Sequence, residues 1–325
     1  MNELKFGIIG YGSIAKKHIK LIKNKYPASF IYILAHKKKI YSSDRIIIYY
    51  NDRSFFKNKY DFVLICNPCT RHLEYLQKCI NNNIKNIFVE KPLSDNFNQL
   101  KIFVRKNIRF KKNILVGYVL LFNRLLIKTL ELLNQNKIGK LISANIVCNS
   151  NFKKWRKKTI FYKSVSASKY LGGGVLNELS HELSYAIELF GPIQSVFSKI
   201  NYNNKKKIDV ETEANIFCIT KTNTNLGIFI NFLSNKEDRY CEIIGTKGKL
   251  LVDFNNKSLF LNDKKIFSII GKLDKMYEDQ LNFFVNSNLN KKRTINKKFD
   301  NAYQTNNLIE KIKISDRANK IMRVT

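Results

Sequence analysis

Lys5-Phe6-Gly7-Ile8-Ile9-Gly10-Tyr11-Gly12-Ser13-Ile14-Ala15-Lys16-Lys17-His18 decides the fold. A short apolar run enters a turn with glycine at 10 and 12 and a small residue at 15, and residues 14–23 then carry apolar side chains at helical spacing. Each small residue answers its own demand in such a strand-turn-helix: Gly10 the tight turn, Gly12 the close approach of backbone to an anion at the helix start, Ala15 the packing of helix on strand. The spacing alone is a weak signal. Its position after a strand, before a helix and at the head of a strand-helix series makes it a strong one.

Working outward, apolar runs at 30–35, 46–49, 62–66, 87–89 and 114–116 read as strands, with helical spacing at 72–82 and 96–106 between them. This alternation predicts a doubly wound parallel sheet in an N-terminal α/β domain over residues 1–120. After Tyr118 the texture changes. A helix over 123–134 leads to a strand at 143–148, a polar basic loop, the triplet Gly172-Gly173-Gly174 with a helix behind it, and strands at 216–220, 227–232, 240–245 and 249–254. Strands in succession without helices predict an α+β domain over 121–325 with an open, mostly antiparallel sheet. No internal repeat or low-complexity linker interrupts the chain.

The 325 residues suit two domains, and no apolar stretch approaches the roughly 20 residues that span a bilayer. With no apolar leader at the start, a cytoplasmic protein without a membrane partner is expected. The formal charge is +33, from 58 basic and 25 acidic residues, yet only 11 of the basic residues are Arg. Specific nucleic-acid readout favours the Arg fork, whereas Lys, Asn, Ile, Phe and Tyr together reflect A/T-rich codons. Runs such as Lys205-Lys206-Lys207 and Lys291-Lys292-Arg293 are therefore expected to be solvated faces. The six cysteines are scattered among apolar neighbours, as reduced core thiols are. Cys66-Asn67-Pro68-Cys69 lacks the second ligand pair of a zinc site, so no metal is expected.

The glycine turn implies a dinucleotide, bound by Gly10, Tyr11, Gly12, Ser13, Ile14 and Ala15. An NAD enzyme usually ends its second strand with an acid for the ribose 2′-hydroxyl. Here the strand ends in Ala35-His36-Lys37-Lys38-Lys39, and His36 and Lys37 suit the extra phosphate of NADP, so NADP is favoured over NAD.

Several further stretches follow in order: Cys66-Asn67-Pro68-Cys69-Thr70-Arg71-His72, Val89-Glu90-Lys91-Pro92-Leu93, Gly117-Tyr118, Trp155-Arg156, and the long run from Ser166 through Gly172-Gly173-Gly174-Val175-Leu176-Asn177-Glu178-Leu179-Ser180-His181-Glu182 to Tyr185. Together with the opening turn and Cys241-Glu242-Ile243-Ile244-Gly245-Thr246-Lys247-Gly248, they resemble the glucose-fructose oxidoreductase, inositol dehydrogenase and MocA family over nearly the whole chain. The Leu-Ser-His-Glu form is similar to a branch linked to surface-polysaccharide sugars. The resemblance implies a Rossmann domain followed by a substrate domain, and hydride transfer between a nicotinamide and a carbinol or carbonyl carbon of a sugar or nucleotide-sugar. It places Asn67, Pro68, Thr70 and His72 along the nicotinamide ribose, with Glu90 and Lys91 beside them. It also implies a homodimer or homotetramer, by analogy.

Hydride transfer at a carbinol needs a group for the oxygen and one for its proton. Lys91, set by Pro92 in a turn that a cis bond would suit, can hydrogen-bond the oxygen. His181 is the expected acid-base residue, with Glu178 three residues earlier on one helical face to orient it and Asn177 as the competing partner. Glu90 is open to pairing with Lys91 or with the nicotinamide side. The glycine triplet is expected to let backbone pass close to substrate, with a plain loop as the alternative. Tyr118, Trp155, Arg156, Tyr162, Lys169, Asn177 and His181 are candidate substrate contacts, as is Lys91. Departures from the family pattern are Val119 and Leu121 in place of polar residues, Ser184 in place of Asp, and Glu178 in place of a frequent Asp. A sugar or dinucleotide sensor without turnover is the alternative that these departures leave open, and a charge-driven nucleic-acid binder is a third reading.

Overall fold

The computed structural model describes residues 3–35, 42–151, 164–202, 208–271, 275–289 and 294–324. The chain divides into two units, Met1–Gly117 with Tyr277–Asp300 and Tyr118–Met276 with Asn301–Thr325.

The first unit alternates as its sequence predicts: β1 (Lys5–Ile9), α1 (Ser13–Lys25), β2 (Phe30–Leu34), β3 (Ile46–Tyr49), α2 (Asp52–Phe56), β4 (Phe62–Ile65), α3 (His72–Asn81), β5 (Ile87–Val89), α4 (Phe97–Lys106) and β6 (Ile114–Val116). All six strands are parallel, in the order β3-β2-β1-β4-β5-β6. β4, β5 and β6 are buried at every residue, as strands covered on both faces must be. On one face Phe6, Ile8, Ile31, Ile33, Phe62, Leu64 and Phe88 pack with Ala15, Ile19 and Ile22 of α1. The order reverses at β1. The carboxyl ends of β1 and β4 therefore flank the crevice where open sheets of this kind take ligands.

The second unit contains α5 (Arg124–Asn134), β7 (Leu141–Asn151), α6 (Val175–Glu178), α7 (Ser180–Phe190), β8 (Ile193–Tyr202), β9 (Glu211–Thr220), β10 (Asn225–Asn231), β11 (Leu233–Gly245), β12 (Gly248–Asp253), β13 (Ser258–Leu261) and β14 (Lys264–Ser268). The remaining elements are α8 (Lys275–Leu289), α9 (Thr294–Ala318) and β15 (Met322–Arg323). Nine strands form one sheet in the order β14-β13-β12-β11-β7-β10-β9-β8-β15. The β7-β10 pair is parallel and the others are antiparallel. Alternation along the strands buries Ala144, Ile146, Cys148, Ala214, Ile216, Cys218, Cys241 and Ile243, and leaves Phe217, Ile219 and Ile244 exposed. All six cysteines are buried, and burial pushes the Cys218 thiol up to about 12.

The boundary differs from a single cut at residue 120. Leu281, Phe284 and Val285, spaced i, i+3, i+4 on α8, join the N-terminal core, with the Phe284 ring 5.4 Å from Phe62 and 5.7 Å from Phe88. The N-terminal unit is thus completed by a segment far downstream.

Candidate active site

In the first unit the glycine turn follows β1 directly. Gly10 has φ +99°, its N–H donates to the Leu34 carbonyl at 2.9 Å, and a Cβ there would lie 3.0 Å from the Asn67 nitrogen. A side chain there would press on the backbone that follows β4, at a φ that residues other than glycine rarely adopt. Gly12 is different: it caps α1 with extended backbone and no side-chain cap bond, and a Cβ on it would meet nothing within 4 Å. The bare side of Gly12 faces open space, as close approach to the helix start requires. No acidic residue stands in the first turn of α1 to compete with an anion. Ala15 is fully buried, Tyr11 and Ile14 are half-buried, and Ser13 is exposed.

Asn67 and Pro68 follow β4, and Thr70 is exposed just beyond. Both polar atoms of the Asn67 amide are buried without a hydrogen-bond partner among the described residues. Such an amide beside the glycine turn fits a ligand that supplies donors and acceptors. His72 is buried, its Nδ1 2.8 Å from the Pro92 carbonyl and its Nε2 3.0 Å from the Asn67 carbonyl. Burial lowers its pKa, against the two carbonyls, which raise it.

Lys91 follows β5, and the Lys91-Pro92 bond is cis. Glu90 is held by a residue that neither sequence alternative named: its Oε1 lies 2.7 Å from Nε2 of His18, on α1. Gly117 closes the other side, since a Cβ there would stand 2.9 Å from Glu90 Oε2.

In the second unit the run after the glycine triplet is two helices, not one. The chain leaves helical geometry at Leu179 (φ −98°, ψ 25°), between α6 and α7. The i, i+3 argument for Glu178 and His181 takes one continuous helix, and the two residues stand on either side of this break. His181 stands in the first turn of α7, edge-on to Tyr118 at 5.7 Å and 87°. Asn177 Nδ2 donates to the Gly172 carbonyl at 3.0 Å, tying α6 to the turn before it. Lys169 has an exposed side chain, and its backbone N–H donates to Asp209 at 2.9 Å.

The glycine triplet is demanded by the protein's own interior. A Cβ on Gly173 would meet the Val165 and Ser166 carbonyls at 2.5 Å, and one on Gly174 (φ +108°) would meet the Glu211 carboxylate at 2.4 Å. The approach expected toward substrate is, at these two positions, an approach to neighbouring chain. Glu211 is buried and its pKa is raised by that burial, against Lys313, a bond from the Leu176 N–H, and Lys169. Val119, Leu120, Leu121 and Phe122 form a buried 3₁₀ turn packed on α7. His36, Lys37, Trp155, Arg156 and Tyr162 lie outside the described residues.

Residues 4–118 match the GFO/IDH/MocA oxidoreductase family, NAD-binding Rossmann fold, and residues 127–251 match the GFO/IDH/MocA C-terminal domain. The chain belongs to the GFO/IDH/MocA family. Among its relatives, Oxidoreductase P35 of Formosa agariphila is 25% identical over 203 residues, 61% of this chain and 60% of that protein, so the chain spans less than two thirds of this relative's length. Myo-inositol 2-dehydrogenase from Lactobacillus plantarum shares 15% identity with full coverage of both chains and a TM-score of 0.81. Levoglucosan dehydrogenase in complex with NADH shares 15%, again over both full chains, with a TM-score of 0.84. At such identity the structural likeness speaks for the fold.

For a GFO/IDH/MocA chain, four side chains escaped the sequence reading as partners: His18, Glu182, Glu211 and Arg239. His18 and Glu182 lie inside motifs quoted for the resemblance, but their partners are 72 and 57 residues away. No local pattern joins them. Among the described residues no group of three His, Cys, Asp or Glu side chains is placed to hold a metal, and no helix is long and apolar enough to cross a membrane.

Proposed function

We propose that this protein is an NAD(P)-dependent oxidoreductase that moves a hydride between nicotinamide and a carbinol or carbonyl carbon of a sugar or nucleotide-sugar. The observation that carries the reading is that Gly12, Asn67 and Lys91 follow β1, β4 and β5, three adjacent parallel strands, at the same edge of one sheet. The open side of Gly12, the uncapped start of α1 and the unmet amide of Asn67 fit a dinucleotide there. When bound, the nicotinamide supplies or accepts the hydride. Lys91 hydrogen-bonds the reacting oxygen and stabilises its negative charge, and His181 holds the proton that leaves or returns. Tyr118, edge-on to His181, fixes the plane of that ring.

The cations after Ala35, with no acid at the end of β2, support NADP over NAD. The names of the myo-inositol and levoglucosan dehydrogenases support a polyhydroxylated ring as substrate, and the Leu179-Ser180-His181-Glu182 form supports a surface-polysaccharide sugar made in the cytoplasm. The exposed Phe217, Ile219 and Ile244 support a homodimer or homotetramer joined through the open sheet.

The test is thermal melting with NADPH and NADH, followed by turnover of a nucleotide-sugar panel. A cofactor at 100 times its Kd stabilises by about 2.7 kcal/mol. Lys91→Ala is expected to keep that shift and lose turnover. Melting unmoved by either dinucleotide overturns the reading; binding with no turnover by the wild type across the panel supports the sensor alternative, which the buried apolar turn 119–122 favours.

A further inference from the structure

The residue on each side of Lys91 is held by a buried histidine, and the two histidines come from different helices. His18, 1% exposed, lies on α1 and places Nε2 2.7 Å from Oε1 of Glu90, its ring edge against Phe88 at 5.0 Å. His72, also 1% exposed, begins α3 and places Nδ1 2.8 Å from the carbonyl of Pro92. Its Nε2 faces the Asn67 carbonyl at 3.0 Å.

We propose that His18 and His72 are positioning residues for Lys91: one fixes Glu90 to the helix that begins at the glycine turn, the other fixes Pro92 to the loop after β4, and between them they set where the Lys91 ammonium stands. The proposal rests on the reading of Lys91 as the group that meets the reacting oxygen. If these rings only filled core volume, apolar side chains would fit as well. Instead each ring is aimed by a polar bond at a neighbour of the same lysine, and the far end of each link is an element of the proposed dinucleotide site. His18, in the second turn of α1, ties Lys91 to the helix that Gly12 opens, and His72, at the head of α3, ties it to the loop after β4 that holds Asn67. In the neutral ring one nitrogen of His72 donates while the other faces a carbonyl lone pair. The neutral form that burial favours thus bonds one loop firmly, and the shorter contact is the one to Pro92.

The reactivity of Lys91 provides a test that needs no substrate. The protein and its His18→Gln, His18→Phe, His72→Asn and His72→Phe variants are pulsed with an amine-acylating reagent. The rate at Lys91 is then read by peptide mass spectrometry against that at Lys101, an exposed lysine of the same unit. Glutamine at 18 keeps an N–H donor where Nε2 stood and asparagine at 72 keeps one where Nδ1 stood, and both should leave the Lys91 to Lys101 ratio within about twofold of wild type, while phenylalanine, which loses the bond, should shift it by about tenfold. An unchanged ratio in folded Phe variants overturns the proposal, whatever their melting temperature. Should a Phe variant fail to fold, the smaller His18→Leu and His72→Leu replace it, and an unchanged ratio there is equally fatal. NADH and NADPH titrations by fluorescence run in parallel: a wild type that binds neither sinks the oxidoreductase reading, while the acylation ratio still decides the positioning claim.

Discussion

Arg239 directs both Nε and Nη2 at one oxygen of Glu182, at 2.8 and 2.6 Å, while the other Glu182 oxygen is buried without a hydrogen-bond partner among the described residues. Glu182 is fully buried next to His181 on α7, and Arg239 reaches it from β11. Burial acts to lower the Arg239 pKa, but Glu182, Cys148 and Tyr185 together outweigh it and the guanidinium stays charged. Arg239→Met leaves that carboxylate buried and uncompensated, so unfolding stability should fall by about 3 kcal/mol. Arg239→Met combined with Glu182→Leu should recover all but about 1 kcal/mol of the loss. Urea titrations of the three proteins check this, and equal losses in single and double variants would mean that packing, not charge, holds the pair.

What the sequence made legible has a common physical cause. β1, the glycine turn and α1 are read from local period and from small residues with local tasks, as are β4, β5 and the Glu-Lys-Pro turn. β8 was not read, because one of its inward positions is Ser198, whose hydroxyl donates to the Ile312 carbonyl and whose N–H donates to Ser315. A polar residue satisfied by a helix more than 100 residues away breaks the apparent alternation. α9 hides its inner face similarly, with buried Asn301, Thr305, Asn306 and Asn307 among its apolar positions. The break at Leu179 carries neither Gly nor Pro, so Val175 through Phe190 looks like one helix. The candidate site was legible as single residues, but not as pairs. His18 with Glu90 exists only once the sheet brings strand ends to the first helix.

The two kinds of glycine should behave in opposite ways. Gly12→Ala adds a methyl to open space in extended backbone, so folding should lose no more than about 1 kcal/mol, the difference between glycine and alanine at a helix cap. Its dinucleotide affinity should nevertheless fall about tenfold or more, equivalent to about 1.4 kcal/mol. Gly174→Ala drives a methyl into the Glu211 carboxylate at a φ of +108°, and should cost about 3 kcal/mol of stability. Melting curves and NADPH fluorescence titrations separate the two. Equal destabilisation by both substitutions would contradict the distinction.

Glu211 gives a pH dependence of definite sign. Burial raises its folded-state pKa above the unfolded value of about 4.3. Between those two values the folded chain carries a proton that the unfolded chain lacks, so this contribution to stability is complete below the unfolded pKa and lost as pH rises through the folded one. Glu211→Gln stays neutral and can still accept from Leu176, whose N–H lies 3.4 Å from Oε1. Its stability advantage over wild type should therefore grow from pH 4 to pH 7 in urea titrations. A difference that stays constant with pH would place the linkage on another group.

The open face of the second sheet bears on assembly. Phe217 is 53% exposed, Ile321 69% and Ile219 38%, and they line one groove of 410 Å³ with Val196 and Leu226. Apolar side chains on the outer face of a sheet whose other face is filled gain by meeting a second apolar face, and two copies of this chain present the same one. Light scattering should then give a mass that is a multiple of 38.1 kDa. Phe217→Lys with Ile219→Lys places two charges in that groove without touching the buried residues Ile216 and Cys218, so the variant should elute as a folded monomer with unchanged circular dichroism. If wild type is already monomeric at micromolar concentration, or the variant keeps the wild-type mass, this face is not where copies meet.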